Sequence, residues 1–274
     1  MRLPEGLWLR VATAVVLLGG FLAALRWLDA RQLALLLAIA VALAGHEWGR
    51  LAGLGRPQAL LYAILAAAAF GAAATAWLAA PRALVPLCAV SALFWLLLVP
   101  AWLRRGLGGS GCTALAASGI VVLVPTGLAV LALPAQGLLL VLGLVWIADT
   151  AAYFAGRAFG KRLLAPTISP GKTWEGVAGA VAATLIYAII CAVPGAPFAE
   201  RVRDAAWIPY LAGAVLLCAL SIVGDLFESA LKRRAGAKDS GRLLPGHGGI
   251  LDRIDSMTAS LPIAALLLTW LHAA

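Results

Sequence analysis

Charge is scarce in this sequence. Of its 274 residues only 12% are Asp, Glu, Lys or Arg, and just twelve are acidic, whereas about a quarter of an ordinary soluble domain is charged. A water-facing surface of the usual kind is therefore excluded. Four cysteines are present (Cys88, Cys112, Cys191 and Cys218), all in or beside apolar runs and without CxxC spacing. They read as small core residues, so neither a disulfide framework nor a zinc site has support. A long polar linker, a soluble domain and an internal repeat are also missing. The net charge of +9 is not gathered into one basic tract, which removes the main argument for a nucleic-acid partner.

What remains is apolar sequence: 63% hydrophobic residues and a mean hydropathy of +0.98. Repeated apolar runs near 20 residues match a hydrocarbon core of about 30 Å. Lipid cannot satisfy free backbone groups, so such runs must be helices or a closed barrel. These runs are continuous and rich in Ala and Leu, with no alternation, which selects helices. The expected fold is all-α and polytopic, with nine spans near 9–28, 32–49, 58–79, 83–103, 113–133, 136–156, 173–193, 207–227 and 256–273. The first run is longer than a signal peptide's apolar stretch and another span follows at once, so it is read as uncleaved. Tryptophans at 8, 27, 48, 77, 102, 207 and 270 fall near span ends, where indole rings favour the interface. Sixteen of the 21 bases lie in the amino terminus and the segments after even-numbered spans. The positive-inside rule then places the amino terminus in the cytoplasm and the carboxyl terminus outside. Residues 1–140 are read as a membrane bundle, and 141–274 as the helices that carry the cytoplasmic, reactive loops. The Ala, Leu and Arg usage and the lack of an amino-terminal extension point to a bacterial inner membrane.

Against this background residues 225–255 stand out, because they hold five of the twelve acidic residues. Asp225 and Glu228 are three apart at the end of the eighth span, and Asp252 and Asp255 repeat that spacing before the ninth. Each pair shares one helical face. The plain alternatives are a helix end meeting water and, for Asp255 or Ser256, an N-cap. Neither explains both pairs, nor why carboxylates stand at a helix C-terminus, where they oppose the macrodipole. Two such pairs opening on one side have the chemistry to hold one or two divalent ions. Between them lie Lys232, Lys238, Asp239 and a Pro245-Gly246-His247-Gly248-Gly249 turn, followed by Arg253. Glycine N–H groups and bases suit a phosphate; His247 reads as a hydrogen-bonding residue before it reads as a general base.

A second group spans 149–176. Asp149 sits inside the sixth span, and an acid at that depth is a functional candidate. Gly160-Lys161-Arg162 and Ser169-Pro170-Gly171-Lys172-Thr173-Trp174-Glu175-Gly176 then place bases and hydroxyls just before a helix, an arrangement suited to an anionic head group or a triphosphate. The alternative is an inside loop with Ser169 or Thr173 as the cap. His46 and Glu47, closing the second span, are read as interfacial or packing residues.

At Ser229, Lys232, Arg233, Lys238, Asp239, Gly241, Leu244, Pro245, His247, Gly248, Gly249, Asp252, Arg253 and Asp255 the chain resembles the CDP-diacylglycerol synthase (phosphatidate cytidylyltransferase) family, with matching spacing. Gly224-Asp225-Leu226, Glu228-Ser229 and the 169–176 stretch also resemble family segments, so the specific likeness covers roughly residues 145–260. It implies condensation of CTP with phosphatidate to CDP-diacylglycerol and pyrophosphate, with Mg²⁺, a second (monovalent) cation and a homodimer. Under that resemblance Asp225, Asp252 and Asp255 carry metal, with Glu228 and Asp239 close by. Lys172, Lys232, Lys238 and Arg253 neutralise phosphates, while Ser169, Thr173, Gly246, His247, Gly248 and Gly249 shape their seat. A CTP-dependent kinase of lipid alcohols is the nearest alternative. A transporter would instead string ionisable groups through mid-membrane.

Overall fold

The computed structural model describes residues 7–199, 202, 206–244 and 248–273. Its long helices follow the apolar runs: α1 (Leu7–Trp27), α2 (Ala30–Ala52), α3 (Arg56–Ala79), α6 (Cys112–Ala132), α7 (Ala135–Phe159), α8 (Trp174–Ala192), α9 (Trp207–Arg234) and α10 (Leu251–Ala273). Residues Pro81–Arg105 form one bent rod made of a 3₁₀ turn, α4 (Leu84–Leu93), a π turn (Phe94–Leu98) and α5 (Val99–Arg105). In the π turn the Val99 N–H reaches the Phe94 carbonyl five residues back, next to Pro100, which has no N–H to give. Among the described residues, seven helices are long and apolar enough to cross a membrane, from Ala30–Ala52 to Trp207–Arg234. The chain is thus an all-α polytopic membrane protein. Pro125 and Pro262 are accommodated inside α6 and α10.

Local chemistry sets several ends. Asp29 accepts the N–H groups of Arg31 and Gln32, and the Gln32 side chain returns to the Asp29 N–H, closing a capping box ahead of α2. Thr173 caps α8 by accepting the Gly176 N–H at 3.1 Å. The segment ahead of α8 carries an antiparallel hairpin of β1 (Leu163–Ala165) and β2 (Ser169–Thr173). Glu175 fastens its base by accepting the N–H groups of Lys161 and Arg162.

One continuous core runs from Ala24 to Leu268 and draws on nearly every helix. Of the tryptophans expected at the interface, Trp48 lies in this core and Trp77, Trp102 and Trp207 pack against it. Trp48 is 2% exposed and donates its indole N–H to the Leu115 carbonyl at 2.8 Å. Trp102 stacks on Phe227 at 6.0 Å. With its indole N–H satisfied inside the bundle, Trp48 can be buried, whereas Trp8 and Trp27 stay more than three-quarters exposed. Phe227 is the hub of that cluster, also meeting Trp48, Phe94 and Trp95 at 5.6–6.1 Å. It ties α9 to α2 and to the bent rod.

Helices α9 and α10 approach closely at Gly224, where a Cβ would run into the Asp255 carbonyl. Because that carbonyl belongs to a helix backbone, it cannot swing aside, and overpacking of this kind costs about 1–3 kcal/mol. Gly71 on α3 has nothing within 4 Å of such a Cβ. Thermal unfolding in detergent should therefore show Gly224→Ala melting several degrees below the parent, and Gly71→Ala melting at or above it.

Candidate active site

The reactive groups gather beside the starts of α8 and α10, against inner turns of α7 and α9. Helix α9 runs on to Arg234, so Asp225 and Glu228 lie inside it and not at its C-terminus, where the sequence had suggested they would be. A cavity of about 350 Å³ there is lined by Asp149 from α7, Lys172 and Thr173 from the hairpin, Asp225 from α9, and Asp252, Asp255 and Ser256 from α10. Four carboxylates thus face one space with a single lysine on its wall. A second, apolar cleft between α7, α8, α9 and α10 is lined by residues such as Leu140, Tyr187, Tyr210 and Leu268 and has no charged wall; it offers no chemistry.

The carboxylates are held very differently. Asp225 pairs with Lys172 at 2.6 Å and accepts the Ser229 hydroxyl at 3.3 Å. Asp252 is saturated: Oδ1 takes the Lys232 ammonium at 2.8 Å, and Oδ2 takes the N–H groups of Ser240 (2.9 Å) and Gly249 (2.8 Å) and the Ser240 hydroxyl (3.0 Å). Lys232 also reaches Glu228 at 2.6 Å, one helical turn before it. Glu228 is 3% exposed and, among the described residues, has that ion pair but no well-directed hydrogen bond. Asp255 accepts the N–H of its neighbour Ser256 at 2.8 Å. The helix begins at Leu251, so Asp255 is not its N-cap, as one reading of the sequence had it; it lies in the second turn and faces the cavity.

Of the residues expected in the site, Asp225, Asp252, Asp255, Lys172 and Thr173 line the cavity, and Glu228 and Lys232 lie directly behind Asp252. Thr173 spends its hydroxyl on the cap. Lys238 and Asp239 are exposed on the strand of chain leaving α9, Arg253 is exposed in the first turn of α10, and Ser169 is in β2; none of these lines the cavity. Gly246 and His247 lie outside the described residues. Gly248 has a positive φ of 82°, and its carbonyl accepts the Leu244 N–H at 2.9 Å. The Gly249 N–H is committed to Asp252.

Among the described residues no three His, Cys, Asp or Glu side chains converge closely enough to hold an ion by themselves. Magnesium does not require this, since it keeps several waters and takes one or two carboxylates plus substrate phosphates. The oxygen donors of Asp149, Asp225 and Asp255, facing one cavity with less positive than negative charge, suit a hard cation on those terms.

Two residues acquire roles that sequence did not assign. Asp149 was flagged only by its depth in an apolar span, and it proves to share the cavity. Glu47, read as a packing residue, is buried on α2 and accepts from Ser240, Ile250 and Leu251 at 2.9–3.1 Å. An acid near the end of an apolar span was the sequence signal available for it.

A model of the cytidylyltransferase family matches residues 8–271. A phosphatidate cytidylyltransferase of Pseudomonas aeruginosa is 41% identical over 278 aligned positions, covering 94% of this chain and 96% of that protein. The enzyme of that name from Haemophilus influenzae is 50% identical across 47% of this chain and 45% of its own. For its Brucella suis counterpart the figures are 52%, 45% and 42%. With the match running nearly end to end, this chain belongs to the cytidylyltransferase family.

Proposed function

We propose that this protein is a phosphatidate cytidylyltransferase, condensing CTP with phosphatidate to CDP-diacylglycerol and pyrophosphate, and that the cavity between α7 and α10 is where it does so. The observation that carries the location is the meeting of Asp149, Asp225, Asp252 and Asp255 with Lys172 around one space. The near end-to-end likeness to the Pseudomonas aeruginosa enzyme supports the reaction.

In that reaction an oxygen of the phosphatidate phosphate attacks the α-phosphorus of CTP, a new P–O–P link forms, and the bond to the β-phosphate breaks as pyrophosphate leaves. The attacking phosphate is already ionised near neutral pH, so no strong general base is needed. Catalysis of this kind rests on positioning and charge neutralisation. Lys172 stands on the cavity wall, paired with Asp225, and would neutralise a phosphate seated there. Asp225 and Asp255, with Asp149 beside them, would hold Mg²⁺, and Asp252 would join by exchanging Lys232. Bound there, the ion would supply charge for the transferring phosphate and the leaving pyrophosphate. Lys232, Lys238 and Arg253 would neutralise phosphate around it.

The lipid must come sideways from the bilayer. Tyr153 supports a route between α7 and the hairpin, since it both lines the cavity and is 58% exposed on the outer face of the bundle, where Arg157 holds its hydroxyl at 3.0 Å. The remaining features of the reading are nine spans, a cytoplasmic amino terminus and active site in a bacterial inner membrane, a monovalent second cation, and a homodimer. The distribution of bases supports the orientation.

The direct test supplies purified protein with phosphatidate, Mg²⁺ and CTP labelled at the α-phosphate. Label should enter the lipid phase with release of pyrophosphate; label entering only from γ-labelled CTP would instead mean a lipid kinase. EDTA should abolish the transfer and added Mg²⁺ restore it, and full turnover in EDTA would remove the metal from the mechanism. Asp225→Asn should lower kcat at least a hundredfold with little change in melting temperature, because the pair it breaks is partly exposed, with side chains 23% and 30% accessible. Wild-type turnover in that variant would overturn the assignment of the cavity.

A further inference from the structure

The start of α10 has no cap of its own. The residue preceding Leu251 is Ile250, whose side chain has no acceptor, while the first N–H groups of a helix need partners. The acceptor comes instead from α2. Glu47 Oε1 takes the Ile250 N–H at 3.1 Å, and Oε2 takes the Leu251 N–H at 3.0 Å. Oε2 also meets the Ser240 hydroxyl at 2.9 Å, and the same hydroxyl lies 3.0 Å from Asp252 Oδ2. A hydroxyl carries one proton, so it serves one carboxylate at a time and links the two. Through Asp252 the chain of contacts continues to Lys232 and Glu228. Gly241 and Gly249 close over Glu47 so tightly that a Cβ on either would strike its carboxylate. Both ends of the 240–250 loop are thus clamped on one buried acid more than 190 residues away in sequence.

We propose that Glu47 is a positioning residue of the reaction site: it caps α10 in trans, fixes the ends of the 240–250 loop and sets the orientation of Asp252. This rests on the reading that Asp252 and its loop serve the cytidylyl transfer. A helix cap supplied from a distant helix has a consequence that simple core packing lacks. Loss of the acceptor should loosen 240–252 selectively and misplace Asp252, while the surrounding bundle stays packed.

The test compares the full-length enzyme with Glu47→Gln, Glu47→Asp and Ser240→Ala in detergent, by amide hydrogen exchange and by steady-state kinetics. For Glu47→Gln, exchange in peptides covering 240–252 should quicken at least tenfold, with 215–230 unchanged. At the same time kcat should fall at least tenfold and the Mg²⁺ concentration for half-maximal rate should rise. Glu47→Asp should recover part of both. Unchanged exchange in 240–252 would overturn the clamp. Faster exchange with wild-type turnover would overturn the loop's part in catalysis; a normal Asp252→Asn enzyme would locate that failure in the site reading and not in Glu47. Should Glu47→Gln fail to fold, Ser240→Ala decides, since it removes the hydroxyl that bridges Glu47 and Asp252 and accepts the Asp252 N–H at 3.3 Å. Normal exchange and normal kcat in that variant would overturn the inference.

Discussion

The Lys232 ammonium lies between two carboxylates, 2.6 Å from Glu228 and 2.8 Å from Asp252, with all three side chains nearly shut off from solvent. Taking charges out of water costs several kcal/mol per ion, recovered only when the partners and their hydrogen bonds are all in place. The arrangement is therefore all or none. It can form only if the end of α9 and the start of α10 meet in one register, which the close approach at Gly224 permits. That register in turn brings Asp225 and Asp255 to the same cavity. The geometry of the site is a consequence of how a membrane bundle solves the problem of a buried ammonium.

Around this triad the protein has built support from both sides. Behind α9, Phe227 anchors the helix one residue before Glu228 in a ring of Trp48, Phe94, Trp95 and Trp102. Aromatic contacts at these spacings are stiff and bury a large area per residue. Phe94 and Trp95, the first residues of the π turn at Phe94–Leu98, both reach Phe227. At the end of α9, Arg234 donates to the carbonyls of Leu107 and Ser110, fastening the helix to the loop after the rod. On the α10 side, the Glu47 and Ser240 hydrogen bonds hold the helix start. The amino-terminal helices are thus part of how the site is made, where their sequence had shown only membrane character.

Much of this was legible in sequence. Most apolar runs became helices within a few residues, because a span is selected locally by the cost of exposing polar backbone to hydrocarbon. By contrast, α9 runs seven residues past its expected end and α10 starts five before its expected beginning. The two acidic pairs, Asp149 and Lys172 were also visible, since charge in so apolar a chain is expensive wherever it is placed. Less was legible where partners decide the outcome. Asp255 reads as a cap from its position before an apolar run, yet α10 starts four residues earlier because its cap comes from elsewhere. Trp48 sits at a span end like Trp8 and Trp27, but it is drawn inward by a carbonyl 67 residues away. Gly248 and Gly249 read as a seat for phosphate, while at Gly249 the observed neighbours are Glu47 and Ser240.

The sequence by itself determined that this chain would be a bundle of membrane helices with acids and bases concentrated near residues 225–255 and 149–176. It could do so because hydropathy and helical spacing act over one or a few turns. Only the tertiary structure decided which carboxylate is saturated, which faces open space, and which acid caps α10. Those outcomes depend on contacts between residues as far apart as Glu47 and Leu251, and no local pattern records which helices will touch. A buried charge must find its partners wherever the packing of the whole bundle puts them.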